Sequence, residues 1–152
     1  MSARTGRNRN RLIQGGFSLI EIMVVLVILG ILAALVAPNV MQGIDKALIT
    51  QAKTDMKSID TALSLYKMDN FIFPRTEQGL QALVSKSDIA PVPKNFRKDG
   101  YLTKLPKDPW GADYIYISPG EHGPYDIYTL GQDGAPGGEG LDADIGNWEA
   151  GE

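Results

Sequence analysis

The chain has 152 residues, 43% hydrophobic and 22% charged, which excludes a disordered or low-complexity polypeptide and fits one domain with a long arm. The formal net charge of −3 conceals a split: the first sixteen residues carry Arg4, Arg7, Arg9 and Arg11 and no acid, so the rest carries −7, a poor balance for binding nucleic acid. There is no cysteine and a single histidine, His122, which excludes disulfides, thiol nucleophiles, cysteine-based zinc sites and multi-histidine metal sites.

After the basic head, residues 17–37 are apolar apart from Glu21. As a helix this stretch is about 31 Å long, roughly the thickness of a bilayer core. A domain this small cannot surround a helix that is apolar on every side. A secretory signal peptide fits poorly, because the run is long and no clear small-x-small cleavage site follows it. The arginines precede the span, so residues 1–16 are expected in the cytoplasm and the rest outside. Glu21 lies inside the span, where a carboxylate costs a few kcal/mol unless paired or snorkelling, so a cationic partner is expected.

Helical periodicity continues beyond Pro38. Ile44, Leu48, Ala52, Met56, Ile59, Leu63 and Tyr66 recur at three- and four-residue steps, with Lys and Asp between them. This predicts an amphipathic helix with one core-facing side. Pro38 and Gly43 predict a kink or local melting where the apolar and amphipathic halves meet. The helix is expected to end near Asn70, since Pro74 disfavours helical geometry at Phe73.

Thr76 is placed to cap a short helix through about Val84, with Leu80, Leu83 and Val84 inward. Residues 85–113, rich in Pro, Lys and Asp, predict a long loop, and Asp108-Pro109-Trp110-Gly111 a turn that buries an indole. Two strands follow, Tyr114–Ile117 and Tyr125–Leu130, joined by a hairpin loop. His122 in that loop reads as a solvated residue, and no serine stands in a nucleophile-elbow context.

The final stretch, 131–152, has six acids, no Lys or Arg, and many glycines. One reading is a disordered acidic tail. Ile145 and Trp148 argue against it, since a domain edge would bury them. The other reading is a calcium loop, with Asp133, Asp142 and Asp144 supplying carboxylates and the glycines letting carbonyls turn inward. Neither an EF-hand nor a glycine-rich nonapeptide repeat fits.

The string Gly15-Gly16-Phe17-Ser18-Leu19-Ile20-Glu21 resembles the processing signal of type IV pilin-like proteins. That resemblance implies cleavage after Gly16 by prepilin peptidase and N-methylation of Phe17 as the new N-terminus. It also implies an assembly role for Glu21, paired with the α-amino group of a neighbouring subunit's Phe17. Two charges that are costly in lipid separately become tolerable together.

Further strings resemble the major pseudopilin family of the type II secretion system, general secretion pathway protein G. They include Pro74-Arg75-Thr76-Glu77-Gln78-Gly79-Leu80, Lys107-Asp108-Pro109-Trp110-Gly111, Leu130-Gly131-Gln132-Asp133-Gly134 and Asp144-Ile145-Gly146-Asn147-Trp148. The implied fold is α+β: a long N-terminal helix that spans the membrane, packed on a small antiparallel sheet, with a C-terminal calcium-binding loop. The implied parts are a cleaved leader, 1–16, a transmembrane or fibre-core helix, 17–37, and a periplasmic domain, 38–152. The implied calcium ligands are Asp133 and Asp144, with carbonyls near Leu130 and Ala135; Asp142 stays open as a third carboxylate, because Ala143 stands where the family often has an acid. A metal clip can replace the C-terminal disulfide of many pilins.

The implied function is structural: an inner-membrane subunit that polymerises into a helical periplasmic fibre and drives export of folded proteins. Its implied partners are further copies, minor pseudopilins, prepilin peptidase, an inner-membrane assembly platform and an outer-membrane secretin. Alternatives are a type IV pilin or minor tip pseudopilin, an anchored periplasmic enzyme using His122, and an anchored calcium-sensing module.

Overall fold

The computed structural model describes residues 16–151; the side chains of 35–42, 150 and 151 lie outside the description. Residues 1–15, most of the expected leader, are likewise outside it. One helix, α1, runs Leu19–Asn70. The chain divides after Val40 into two compact units, and the backbone is helical through Pro38–Gly43, so the local melting expected there is not found.

In the first unit Ser18 caps α1. Its Oγ accepts a hydrogen bond from Ile20 N at 3.2 Å, and its carbonyl accepts one from Ile22 N at 3.2 Å.

In the second unit the three- and four-residue rhythm produces one buried stripe. Ala52, Met56, Ile59, Ala62, Leu63 and Tyr66 are all buried. The stripe begins later than the periodicity suggested: Ile44 is exposed and Leu48 half-buried. The helix ends where expected, and Phe71 follows it with a left-handed φ of 68°.

The sheet facing this stripe has three antiparallel strands in the order β1 (Ile115–Ile117), β2 (Asp126–Thr129), β3 (Ile145–Gly146). Tyr116 opposes Ile127, and Thr129 opposes Ile145. Alternate residues Tyr114 and Tyr116, then Tyr125, Ile127 and Thr129, are buried, as a two-residue period dictates. The strand β3 was not anticipated. Two residues are too short to show a period, although the argument that Ile145 would be buried holds.

The element expected after Thr76 also differs. It is a four-residue 3-10 helix, Leu80–Leu83, entered from Gly79 with no side-chain cap. Thr76 is instead a tether between loops. Its hydroxyl accepts from Ser118 N at 2.8 Å and donates to Ser118 O at 3.1 Å. Leu80 and Leu83 are buried as expected, and Val84 only half so.

The long 85–113 loop is pinned to Asp69 at the end of α1 and to Gln78 beyond it. Arg97 Nε donates to Asp69 Oδ2 at 2.6 Å, Asn95 Nδ2 to Asp69 O at 2.9 Å, and Gln78 Nε2 to Ile89 O at 2.8 Å.

Candidate functional site

Two regions carry the expected functional residues, one in each unit. In the first, Phe17 is 79% exposed and Glu21 is exposed. The apolar side chains beyond them are uncovered on every side of the helix, from Leu19 at 82% to Val25 at 46%. So continuous an apolar surface marks a place for lipid or for another protein. Among the described residues no helix is long and apolar enough to cross a membrane. The last residues of the span expected over 17–37, residues 35–37, have side chains outside the description.

In the second unit the loop 130–144 joins β2 to β3, so pairing of Thr129 with Ile145 brings its two arms together. Gln132 N donates to Leu141 O at 2.9 Å, and Asp144 N to Gly137 O at 3.2 Å. Gly131 makes this closeness possible. Its φ is 69°, and a Cβ there would stand 2.7 Å from Leu141 O.

Two of the three expected carboxylates already shape the loop. Asp133 Oδ1 accepts from Ala135 N, and Asp144 Oδ2 from Gly137 N, both at 3.0 Å. Asp144 Oδ1 is buried and has no hydrogen-bond partner. A buried, unpartnered carboxylate oxygen in an oxygen-rich loop fits a hard cation such as Ca²⁺. Asp142 contributes its backbone to the crossing, with its carbonyl under Gly131. Among the described residues no three acids or histidines gather as a ready metal cluster. Residues 145–149 are built into the domain, as β3 and the start of a 3-10 helix, Asn147–Gly151, which removes the tail reading for them.

His122 is an exposed loop residue, as expected, but its ring is engaged. Its ring stacks on Trp148 with centroids 4.0 Å apart and planes at 17°, and its Nδ1 lies 3.1 Å from Asp126 Oδ2. Asp126 is buried and also accepts from Glu121 N at 2.8 Å. Burial pushes the Asp126 carboxyl upward, but these hydrogen bonds more than offset it and hold the carboxyl below its ordinary value.

A second buried carboxylate, Asp108, ties the Trp110 turn to the sheet. It accepts from Trp110 N at 3.1 Å, Ala112 N at 2.7 Å and Thr129 Oγ1 at 2.5 Å. Neither carboxylate's role was read from sequence. Asp108 stands in the Asp-Pro-Trp-Gly string, and that turn chemistry was the available signal.

The comparisons with known proteins divide along the same line. The prokaryotic N-terminal methylation motif matches residues 11–37, and the family "Type II secretion system (T2SS), protein G" matches residues 39–148. The type II secretion system core protein G of Pseudomonas aeruginosa is 62% identical over 136 residues, covering 90% of this chain and 96% of that protein. The Vibrio cholerae protein of the same name is 55% identical, covering 89% of this chain and 92% of that one.

The crystal structure of the major pseudopilin from the type 2 secretion system of enterohaemorrhagic Escherichia coli superimposes with a TM-score of 0.66 at 46% identity. It covers 74% of this chain and 96% of that one. The chain belongs to the type II secretion system protein G family.

Proposed function

We propose that the protein is a structural, non-enzymatic subunit of the type II secretion pseudopilus. The observation that carries this reading is the match to a solved major pseudopilin over nearly all of that chain, joined to a methylation motif at the start of this one. A type IV pilin or a minor tip pseudopilin is not favoured, because the relatives above bear the core protein G name.

The exposed apolar half of α1 supports two successive roles. Before assembly it anchors the subunit in the inner membrane, with the globular domain in the periplasm. In the fibre it packs against copies of itself as a homopolymer core. Processing after Gly16 frees the amino group of Phe17, which is then methylated. In lipid that cation and the Glu21 carboxylate of a neighbouring copy are each costly alone and tolerable as a pair. Prepilin peptidase, minor pseudopilins, an inner-membrane platform and an outer-membrane secretin complete the apparatus.

The C-terminal loop supports a calcium site held by Asp133 and Asp144, with the carbonyls of Leu130 and Ala135 and, less centrally, Asp142. When bound, the cation supplies charge neutralisation and a cross-link between the two arms of the loop.

The test is Glu21→Ala. Membrane insertion and folding of that variant are expected to match the unsubstituted chain, while fibres on overproduction, seen by electron microscopy, are lost. Normal fibres from the variant would remove the role given to Glu21.

A further inference from the structure

The C-terminal end of α1 carries apolar side chains that the domain leaves uncovered. Met68 is 71% exposed, Phe71 81% and Ile72 43%. They line two adjoining shallow hollows, together a groove, that share Lys67 and Phe73: Met68 and Phe71 lie in one, and Ile72, Arg75 and Glu77 in the other. Lys67 Nζ lies 4.6 Å over the Phe73 ring.

Phe71 is the anomaly. It occupies the position just past the helix, with φ 68°, where glycine is the relaxed choice. An aromatic residue there costs about 1–2 kcal/mol in backbone strain. The fold therefore holds a phenylalanine in a strained conformation while leaving its ring in water.

The sheet gives this groove a direction. The 118–125 turn joins β1 to β2 at the end where Thr76 binds Ser118, which is the groove's end. The loop 130–144 leaves from the opposite end, after Thr129. Residues 132–140 of that loop are all exposed and include an apolar tip, Ala135-Pro136. The loop carries four acids, Asp133, Glu139, Asp142 and Asp144, and no base; a bound calcium ion would still leave −2. Its charge thus complements the groove's rim, where Lys67 and Arg75 outnumber Glu77, whether or not the metal is present.

We infer that the groove receives the loop tip, residues 135–139, of a second copy of this chain. Ala135 and Pro136 cover Met68 and Phe71, and Glu139 meets Lys67 and Arg75. The two patches differ and lie at opposite ends of one sheet, so the contact is heterologous and does not close. Each added copy presents a fresh groove, and the strain at Phe71 persists because the exposed ring has a partner in the fibre. This inference rests on the pseudopilus-subunit reading and assigns it a specific contact between globular domains.

The chain has no cysteine, so a pair of introduced cysteines reports one contact. The full chain with Met68→Cys and Ala135→Cys, assembled in membranes and oxidised, is expected to give a ladder of dimers, trimers and higher multimers. Either single variant is expected to give none. Phe71→Gly in the same background is expected to keep or raise the melting temperature while reducing the ladder about tenfold or more, since a buried aromatic contact is lost. Lys67→Glu with Arg75→Glu is expected to weaken the ladder, and Glu139→Lys to restore it.

Fibres visible by electron microscopy with no ladder would overturn this contact and leave the fibre reading standing. Absence of fibres from the unsubstituted chain would overturn the fibre reading and this contact with it. Should the paired cysteines block assembly, fibre yield from Phe71→Gly and the charge-exchange variants decides, and unchanged yields overturn the contact.

Discussion

The buried carboxylates show how few side chains decide the shape of the loops. Asp126 gathers the amides of Glu121 and His122 and the His122 ring, which in turn stacks on Trp148. The indole lies directly over Gly146, where any Cβ would collide with it. One carboxylate thereby links the β1–β2 turn to the C-terminal segment.

The sign of its pH effect follows from the direction of its shift. The folded pKa is below the unfolded one, so the stabilisation is fully present above the ordinary carboxylate value and is lost as pH falls through the folded value. Asp126→Asn is expected to cost roughly 1–3 kcal/mol at pH 7. It is also expected to flatten the fall in stability on acidification below about pH 4. Urea unfolding at pH 7 and at pH 3 measures both; an equal acid loss in the two proteins would refute the assignment.

At the scale of elements, α1 and the sheet hold one another through a single apolar layer with polar rivets. Leu63, Ile59 and Ile127 are fully buried in it. Three tyrosines reach out of the layer to the helix and its exit: Tyr116 donates to Pro74 O at 2.7 Å, Tyr125 to Asp60, and Tyr114 to Asp55 at 3.4 Å. Burial pushes the Tyr116 hydroxyl up to about 12. Leu63→Ala is expected to destabilise the domain by about 2–5 kcal/mol, because the rigid helix cannot collapse into the cavity left behind. Denaturant midpoints with an unchanged slope check this, whereas a loss under about 1 kcal/mol would mean the layer repacks.

The strand β3 belongs to the same scale and explains a miss. Ile145 and Gly146 pair with Thr129 and Tyr128, yet fifteen residues separate the strands. Local propensity does not report a pairing so distant, and only closure of the loop between them brings it about.

For the whole molecule the loop 130–144 is the sensitive part, since it closes the sheet with few apolar contacts. Calcium held there, as proposed, would stabilise the folded state by mass action. A hundredfold excess over Kd contributes about 2.7 kcal/mol. For a domain of this size that is a rise in melting temperature of roughly 10 °C. The full chain in detergent is expected to show this rise with calcium, and to lose it with a chelator, with Asp133→Ala or with Asp144→Ala. Equal melting in calcium and chelator would return the loop to a purely protein-held structure.

By itself the sequence determined the features that depend on neighbours along the chain. The apolar run with Glu21, the amphipathic stripe ending at Asn70 and the β1–β2 hairpin are written in spacing, because periodicity and turn chemistry act over a few residues, while the string Gly15–Glu21 is legible as a resemblance that the methylation-motif match over residues 11–37 supports. Tertiary structure alone decided what depends on residues far apart. It made Thr76 a tether to Ser118 and not a cap, stacked His122 on Trp148, and buried Asp144 Oδ1 without a partner. It also set the groove and the acidic loop at opposite ends of one sheet. The physical reason is that a side chain's partners across the fold depend on which distant segments share the core, and that choice is made by the packing of α1 on the sheet as a whole.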